Sequence, residues 1–339
     1  MLCCVAAIGV VAAGCGGSGS SSSTGKSGGE LTKVKFVYNF APGGYDANLV
    51  AGKAQGFFRK QGLDVSFITP TTGADPAKLI ANGTANIGLV HSPDVILARA
   101  KGLPIVSIGA THQFGTLELL CPSKAGIKSL NDLAGKTVGL TGIPSDKVMF
   151  EQMLKANNID ESKIKVVTAG FAGVPQLLAG RIDCYEAISW YEPILYNQKL
   201  KKPLDDKSTY TEFQYAQNGV PRFYTFGLTT SDAYAKSHAD VLKRFMKAWT
   251  EALNWSIANP EAANSALTDA YPSVDKPSSL AIWKASAQVT SSDDTKAHCP
   301  GWQSPGVWNA QEKFLLQNDL ISKPVDVGSA MTNRFLTCS

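Results

Sequence analysis

Residues Val34–Ile68, VKFVYNFAPGGYDANLVAGKAQGFFRKQGLDVSFI, contain the pattern that indicates the fold class. Apolar residues at 34, 36 and 38 alternate with lysines at 33 and 35, which is the period of a strand. A helical pattern follows over Ala47–Arg59, and Gly62 introduces a second strand over Leu63–Ile68. A strand, a helix and a second strand in this order are typical of a mostly parallel sheet.

The same alternation continues along the chain and restarts near Ser129. Pro76, Pro93 and Ser145 mark the starts of further helices. More strands are predicted at 87–90, 105–110, 136–140, 164–168, 182–188 and 222–229, and a helical stripe has apolar residues at 242, 245, 249, 253 and 257. We therefore predict an α/β fold of two doubly wound lobes with a ligand cleft between them. Residues 31–115 would form lobe 1, residues 116–220 lobe 2, and residues 221–339 would return to lobe 1 and end in helices.

The first 30 residues have the composition of an export signal. Residues 1–14 are uncharged and mostly apolar, a run too short to span a bilayer but suited to a signal peptide. Cys15 follows small residues, which indicates a bacterial lipoprotein anchored by a lipid on Cys15 to the outer face of the cell membrane. Residues 15–30 would then be a flexible tether. Because no Lys or Arg precedes the apolar run and Ala12 stands where Leu is usual, a non-lipidated signal and an ordinary buried segment stay open.

The charge pattern, the apolar segments and the residue spacing argue against several classes of partner. The net charge is +4 without a basic run or an aromatic-interleaved basic patch, so we expect no nucleic-acid partner. No later segment has the length and apolarity of a membrane span. Because neither a Cys-x-x-Cys pair nor a nearby His pair supplies zinc-ligand spacing, we expect no metal. We also expect no cofactor and a monomeric protein.

Four of the seven cysteines remain once the signal and the lipid account for Cys3, Cys4 and Cys15. An even number of cysteines in an exported protein favours disulfides, and four allow three pairings. We favour Cys299 with Cys338, and Cys121 with Cys184. Four isolated buried thiols are the alternative.

Ligands of doubly wound sheets sit beyond the carboxyl ends of the strands, and this rule selects candidate residues. Aromatic side chains at those ends offer faces to a planar heterocycle, and polar side chains offer hydrogen-bonding edges. Nitrate or a sulfonate would instead need clustered donors and positive charge, and carboxylates would repel it. The predicted ligand-binding residues are Asn39, Tyr45, His91, Thr141, Phe171, Trp190, Tyr191 and Glu192.

The helix-turn-strand segment Ala51–Val65, AGKAQGFFRKQGLDV, resembles that of extracytoplasmic binding proteins for nitrate, sulfonates, taurine and thiamine pyrimidine precursors. Ala85–Val106, ANIGLVHSPDVILARAKGLPIV, and Gly126–Gly139, GIKSLNDLAGKTVG, are most similar to the pyrimidine-precursor binders. The resemblance extends over Val34–Leu336. It implies a type II periplasmic-binding-protein fold that closes over a small solute and passes it to an ABC permease.

The resemblance also bears on the site. Ser189–Glu192, SWYE, matches the family's aromatic-Trp-Glu element after the last strand of lobe 2, which implies that Trp190 and Glu192 contact the ligand. The plainer alternatives are that Trp190 packs at the hinge and that Glu192 only begins a helix. The pyrimidine binders carry Trp at the end of the first strand, where this chain has Asn39, so the clamp of lobe 1 differs.

These observations predict a lipid-anchored solute-binding protein that delivers a small aromatic or amino-bearing heterocycle, similar to a pyrimidine precursor, to an ABC importer. One alternative is a sulfonate or nitrate binder of the same fold. Another is an enzyme similar to the pyrimidine synthases of this fold, although their Cys-rich motif is missing and only Cys121 lies near the expected lobe junction. A third is a surface protein that uses the two lobes only to contact other proteins.

Overall fold

The computed structural model describes residues 30–71 and 75–338. Residues from Leu31 onward form one compact unit. The predicted signal peptide, the lipidation site Cys15 and most of the predicted tether lie outside the described residues. Within the described ranges, no helix combines the length and the apolarity needed to cross a membrane.

The described chain contains ten strands. They are β1 (Thr32–Val37), β2 (Leu63–Ile68), β3 (Ile87–Val90), β4 (Ile105–Ala110), β5 (Leu117–Pro122), β6 (Thr137–Leu140), β7 (Lys165–Thr168), β8 (Cys184–Ile188), β9 (Tyr210–Gln214) and β10 (Gly227–Ser231). The helices are α1 (Ala47–Ala54), α2 (Phe57–Lys60), α3 (Pro76–Ala81), α4 (Ser92–Ala100), α5 (Pro144–Ala156), α6 (Gly173–Leu178), α7 (Glu192–Leu200), α8 (Asp232–Ser237), α9 (Ala239–Ala258), α10 (Pro260–Ala270), α11 (Lys276–Gln288), α12 (Asp293–Ala297), α13 (Pro305–Gln317) and α14 (Val327–Ala330). Short 3-10 turns join several of them.

The strands form two five-stranded sheets, each the centre of one lobe. The first sheet has the order β2-β1-β3-β10-β4, and the second has the order β7-β6-β8-β5-β9. In each sheet one strand runs against the other four: β10 pairs antiparallel with β3 and β4, and β5 pairs antiparallel with β8 and β9. The predicted α/β fold of two mostly parallel lobes is confirmed. The predicted lobe boundaries stay a prediction.

Both faces of the first sheet are covered, as the alternation of β1 requires. Val34 and Phe36 point to one hydrophobic cluster, which includes the buried stripe of α9. Val37 points to a second cluster on the opposite face, beneath α3 and α4. The predicted stripe of α9 is correct except at Ile257, which is 47% exposed because it lies on the last turn of the helix.

The structure corrects several element boundaries. The helix predicted over 47–59 is two helices, because Gly56 adopts a left-handed conformation with φ of 75° between them. The strand predicted over 222–229 begins only at Gly227. Sequence reasoning missed β5, in which Glu118 interrupts the apolar run, and β9, whose short polar alternation is weak.

Both favoured disulfides are present. Cys121–Cys184 joins the neighbouring strands β5 and β8. Cys299–Cys338 ties the end of the described chain to the segment before α13. The described cysteines are therefore bonded in pairs.

Candidate functional site

The carboxyl ends of strands from both sheets meet at a cleft that contains two adjoining cavities. The smaller cavity has a volume of about 330 Å³ and the larger about 720 Å³. Asn39 and Phe40, which follow β1, and Phe171, which follows β7, line both cavities. Residues of both lobes therefore enclose the candidate site, as the strand-end rule predicts.

Tyr45 forms a wall of the smaller cavity. Its ring stacks on Phe226, with 5.5 Å between the ring centroids, and its hydroxyl donates to the carbonyl oxygen of Ala41 at 3.1 Å. Gly44 is required before it, because a Cβ atom there would lie 2.2 Å from the backbone oxygen of Ser279. Gly44 thus lets the turn pack against α11, and the turn holds the Tyr45 ring at the cavity.

Glu192 supplies a carboxyl group to the same cavity. It is the first residue of α7, and its Oε2 atom accepts a hydrogen bond from the backbone nitrogen of Ile188 at 2.7 Å. Burial raises the pKa of this carboxyl to about 7. A group that titrates near neutral pH can accept a hydrogen bond from an amino group or, when protonated, donate one to a ring nitrogen. Lys199 lies at the rim of the cavity.

Phe40 and Phe171 face each other where the two cavities adjoin. Their ring centroids are 4.8 Å apart, although Phe40 follows a strand of the first sheet and Phe171 a strand of the second. Phe40 is 40% exposed and Phe171 is 59% exposed. Large exposed aromatic rings at a cleft between lobes are suited to contact a ligand.

Behind the smaller cavity lies a buried group that we call the aromatic cluster. It comprises Tyr45, His91, His112, Trp190 and Phe226.

The packing within the aromatic cluster keeps both imidazoles neutral. The Trp190 ring stacks on His112 with 5.0 Å between centroids, and the His91 ring meets Phe226 edge-on at 5.0 Å. Burial lowers the pKa of His91 to about 4 and that of His112 to about 3. The Nδ2 atom of Asn39 donates to Nε2 of His91 at 3.3 Å.

A second buried group at the junction of the lobes, which we call the acid cluster, is polar. Its members are Asp94, Thr141, Ser145, Asp146, Glu186 and Tyr215.

Hydrogen bonds hold the acid cluster together. Thr141 Oγ1 donates to Asp146 Oδ2 at 2.6 Å, and Tyr215 donates to Glu186 at 3.0 Å. Ser145, on α5, donates to Asp94, on α4, at 3.1 Å, so one bond crosses between the lobes. Burial raises the pKa of Asp94 to about 6 and that of Glu186 to about 7.

The eight predicted site residues fall into three places. Lining the smaller cavity are Asn39, Tyr45, Phe171, Tyr191 and Glu192. His91 and Trp190 lie in the aromatic cluster behind it, with Trp190 only 3% exposed, and neither is among the residues that line the cavities. Thr141 belongs to the acid cluster instead of the cavity lining.

Sequence reasoning missed Phe226 and Gln198, which also line the smaller cavity. The sequence predicts Phe226 inside a strand over 222–229. It lies just before β10, and because β10 runs antiparallel, its start is at the same edge as the ends of β3 and β4. A correct strand boundary would have identified it. Among the described residues, no group of three or more His, Cys, Asp or Glu side chains is arranged to hold a metal ion.

Two α/β lobes whose strand ends face each other across a cleft define the class of periplasmic-binding-protein folds. The aliphatic sulphonate binding protein SsuA from Escherichia coli has this fold with a TM-score of 0.68 and 15% identity, over 90% of this chain and 92% of that protein. The chain belongs to the NMT1/THI5 like family, whose model matches residues 44–263.

Two proteins that are similar in sequence to this chain are named for different functions, one as a binding protein and one as an enzyme. The formylaminopyrimidine-binding protein of Halalkalibacterium halodurans is 26% identical over 306 residues, which are 89% of this chain and 90% of the relative. A 4-amino-5-hydroxymethyl-2-methylpyrimidine phosphate synthase of Saccharomyces cerevisiae is 24% identical over 247 residues, 72% of each chain. This chain is therefore similar in sequence both to a protein named for binding a pyrimidine and to a protein named as a pyrimidine phosphate synthase.

Proposed function

We propose that this protein is an extracytoplasmic receptor that binds a small aromatic or amino-bearing heterocycle, similar to a pyrimidine precursor, and delivers it to an ABC importer without altering it. The observation that carries the proposal is the smaller cavity, in which aromatic rings from both lobes surround a carboxyl group. Rings that flank a cavity bind a planar heterocycle through its faces, and a carboxyl group fixes its orientation through an amino group or ring nitrogen.

The electrostatics of the cavity favour a heterocycle over an anion. Glu192 lines the cavity, and the nearby imidazole of His91 is neutral because burial lowers its pKa to about 4. Lys199 is exposed at the rim, near the opposite end of α7 from Glu192. A sulfonate needs clustered donors and positive charge, which this arrangement does not concentrate.

The binding proposal also gives Cys121 a structural role. In the enzyme hypothesis Cys121 is the cysteine near the expected lobe junction, and it is bonded to Cys184. A thiol in a disulfide cannot act as a nucleophile or metal ligand. The similarity to a binding protein over nine-tenths of both chains supports the same conclusion.

The proposal includes export and anchoring. Residues 1–14 would be removed, Cys15 would carry the lipid, and residues 15–30 would tether a body whose lobes comprise 31–115 with 221–339, and 116–220. In a bacterial host fed a labelled fatty acid, we expect label on the full chain and none on the Cys15→Ala variant. Label that persists on the variant would contradict the anchoring.

Thermal unfolding of the purified full chain tests the binding proposal. We expect an aminopyrimidine to raise Tm, because a ligand at 100 times its Kd stabilises the folded state by about 2.7 kcal/mol. A flavin and taurine serve as the competing ligand classes. A rise in Tm with taurine alone, or with none of the three, would overturn the proposal.

A matched pair of variants separates the site from the fold. Glu192→Gln should weaken aminopyrimidine binding, because it removes the titrating carboxyl from the cavity. Glu161→Gln is the control, since Glu161 is also half-buried and begins a short helical turn but lines neither cavity. Mass spectrometry should recover the ligand unchanged, and turnover would favour the enzyme hypothesis.

A further inference from the structure

A third, much smaller cavity lies behind the aromatic cluster. It leaves about 10 Å³ for the centre of a water-sized molecule. Its lining includes Asp46, from the turn that carries Tyr45, His112, which follows β4, and Trp249, on α9. All three side chains are buried. Three separate parts of the first lobe therefore meet at one enclosed space.

Each of these three residues has a buried polar atom without a hydrogen-bond partner among the described residues. The atoms are Asp46 Oδ1, His112 Nε2 and Trp249 Nε1. Buried polar groups in folded proteins are almost always paired, with protein or with an ordered water. Three unpaired atoms on residues that line one cavity indicate a common partner inside it.

The hydrogen bonds already present determine whether His112 Nε2 can donate or accept. Thr111 Oγ1 donates its proton to the carbonyl oxygen of Phe226 at 3.0 Å, so it accepts from Nδ1 of His112 at 3.0 Å. His112 is therefore the Nδ1–H tautomer, and its Nε2 atom carries a lone pair. Burial keeps this ring neutral by lowering its pKa to about 3.

The indole nitrogen of Trp249 and the free carboxyl oxygen of Asp46 set the other hydrogen bonds that an occupant of the cavity must form. Trp249 Nε1 is always a donor. Asp46 Oδ2 accepts from the backbone nitrogen of Gly43 at 3.0 Å, and Oδ1 is the oxygen without a partner among the described residues. The occupant must accept one hydrogen bond, donate another, and bond a carboxyl oxygen in either direction.

We infer that this cavity binds one structural water molecule, which accepts from Trp249, donates to His112 and bonds Asp46. A metal cation does not fit, because the indole N–H presents positive charge to the site. A larger solute does not fit the volume. The water joins the turn that carries Tyr45 to β4 and α9, so it holds the wall of the smaller cavity from behind. This inference is independent of the proposed function.

A crystal structure of the full chain at high resolution tests the site directly. We expect one density peak within hydrogen-bond distance of Asp46 Oδ1, His112 Nε2 and Trp249 Nε1. Nitrogen-15 NMR at neutral pH should show His112 as the Nδ1–H tautomer. No density in the cavity, anomalous signal there after a thallium soak, or an Nε2–H tautomer would each overturn the inference.

Two tryptophan variants test the water in solution. Trp249→Phe removes the donor to the water, and hydrogen exchange at the Asp46 amide, which donates to Gly43, should accelerate about tenfold. Trp308→Phe is the control, because its indole N–H is also buried and unpaired but Trp308 does not line this cavity. Equal exchange rates in the two variants would contradict the role of the water. If Trp249→Phe does not fold, the density and the tautomer of the unmodified protein decide.

Discussion

The aromatic cluster and the acid cluster both connect the two lobes, but different forces hold them. Ring packing dominates the first, in which both imidazoles are neutral. Hydrogen bonds between carboxyl and hydroxyl groups dominate the second, in which burial raises the pKa values towards neutrality. The packing of the aromatic cluster should therefore be insensitive to pH near 7, whereas the contact between the lobes in the acid cluster should depend on it.

The largest effect is expected from removing the centre of the aromatic cluster. Phe226 is 2% exposed and touches the rings of Tyr45, His91, His112 and Trp190. Phe226→Ala should lower the free energy of unfolding by about 3–5 kcal/mol, the cost of a large aromatic cavity. Urea unfolding at pH 7 measures it. A loss below about 1 kcal/mol would show that the cluster is not part of the rigid core.

The acid cluster predicts a dependence of stability on pH. Burial raises the pKa of Glu186 to about 7 in the folded state, so this group favours folding below its ordinary pKa, and that stability is lost as the pH rises towards 7. Asp94, whose pKa is raised to about 6, acts in the same direction. Glu186→Gln should reduce the loss of unfolding free energy between pH 4.5 and pH 7.5 by about 1–3 kcal/mol.

The control for this prediction is Asp160→Asn. Asp160 is exposed, and hydrogen bonds from Ser162 lower its pKa, so its contribution changes only below its ordinary pKa. The pH slope of this variant should equal that of the unmodified protein. A Glu186→Gln slope that is also unchanged would mean that the acid cluster does not set the pH response.

A smaller effect should follow from the hydrogen bond between Ser145 and Asp94, which crosses between the lobes. Ser145→Ala removes the donor to Asp94 and should cost about 1 kcal/mol of unfolding free energy. Ser162→Ala removes a Ser–Asp bond of the same type that is local and exposed, and it should leave stability unchanged. Equal losses in the two variants would contradict a special role for the contact between the lobes.

The sequence could predict those parts of the fold that rest on local patterns. Strand periodicity and proline-marked helix starts identified most of the parallel strands, because burial of alternate side chains is a local pattern. The same reasoning missed β5 and β9, which pair with strands distant in sequence. Tyr45 and Glu192, which follow glycine or strand-end signals, do line the smaller cavity, and their role there stays a prediction.

The direction in which each side chain points could not be predicted from the sequence. Trp190 and Glu192 are two residues apart, yet Trp190 turns into the aromatic cluster and Glu192 lines the cavity. Thr141 lies at a strand end as predicted, but its hydroxyl is bound to Asp146. The partner with which a polar side chain forms a hydrogen bond depends on tertiary contacts, and one sequence does not specify those contacts.

The smallest effect on stability should come from Phe171, which faces the cleft instead of either cluster. Its ring is 59% exposed, so Phe171→Ala should change the free energy of unfolding by less than about 0.5 kcal/mol. If the proposed function is correct, the same variant should weaken aminopyrimidine binding by about 2–10-fold, since an aromatic contact contributes about 0.5–1.5 kcal/mol. Calorimetry measures the affinity. Unchanged affinity would remove Phe171 from the binding surface, and a large loss of stability would place it in the core. Loss of affinity without loss of stability would show that the exposed ring serves the ligand.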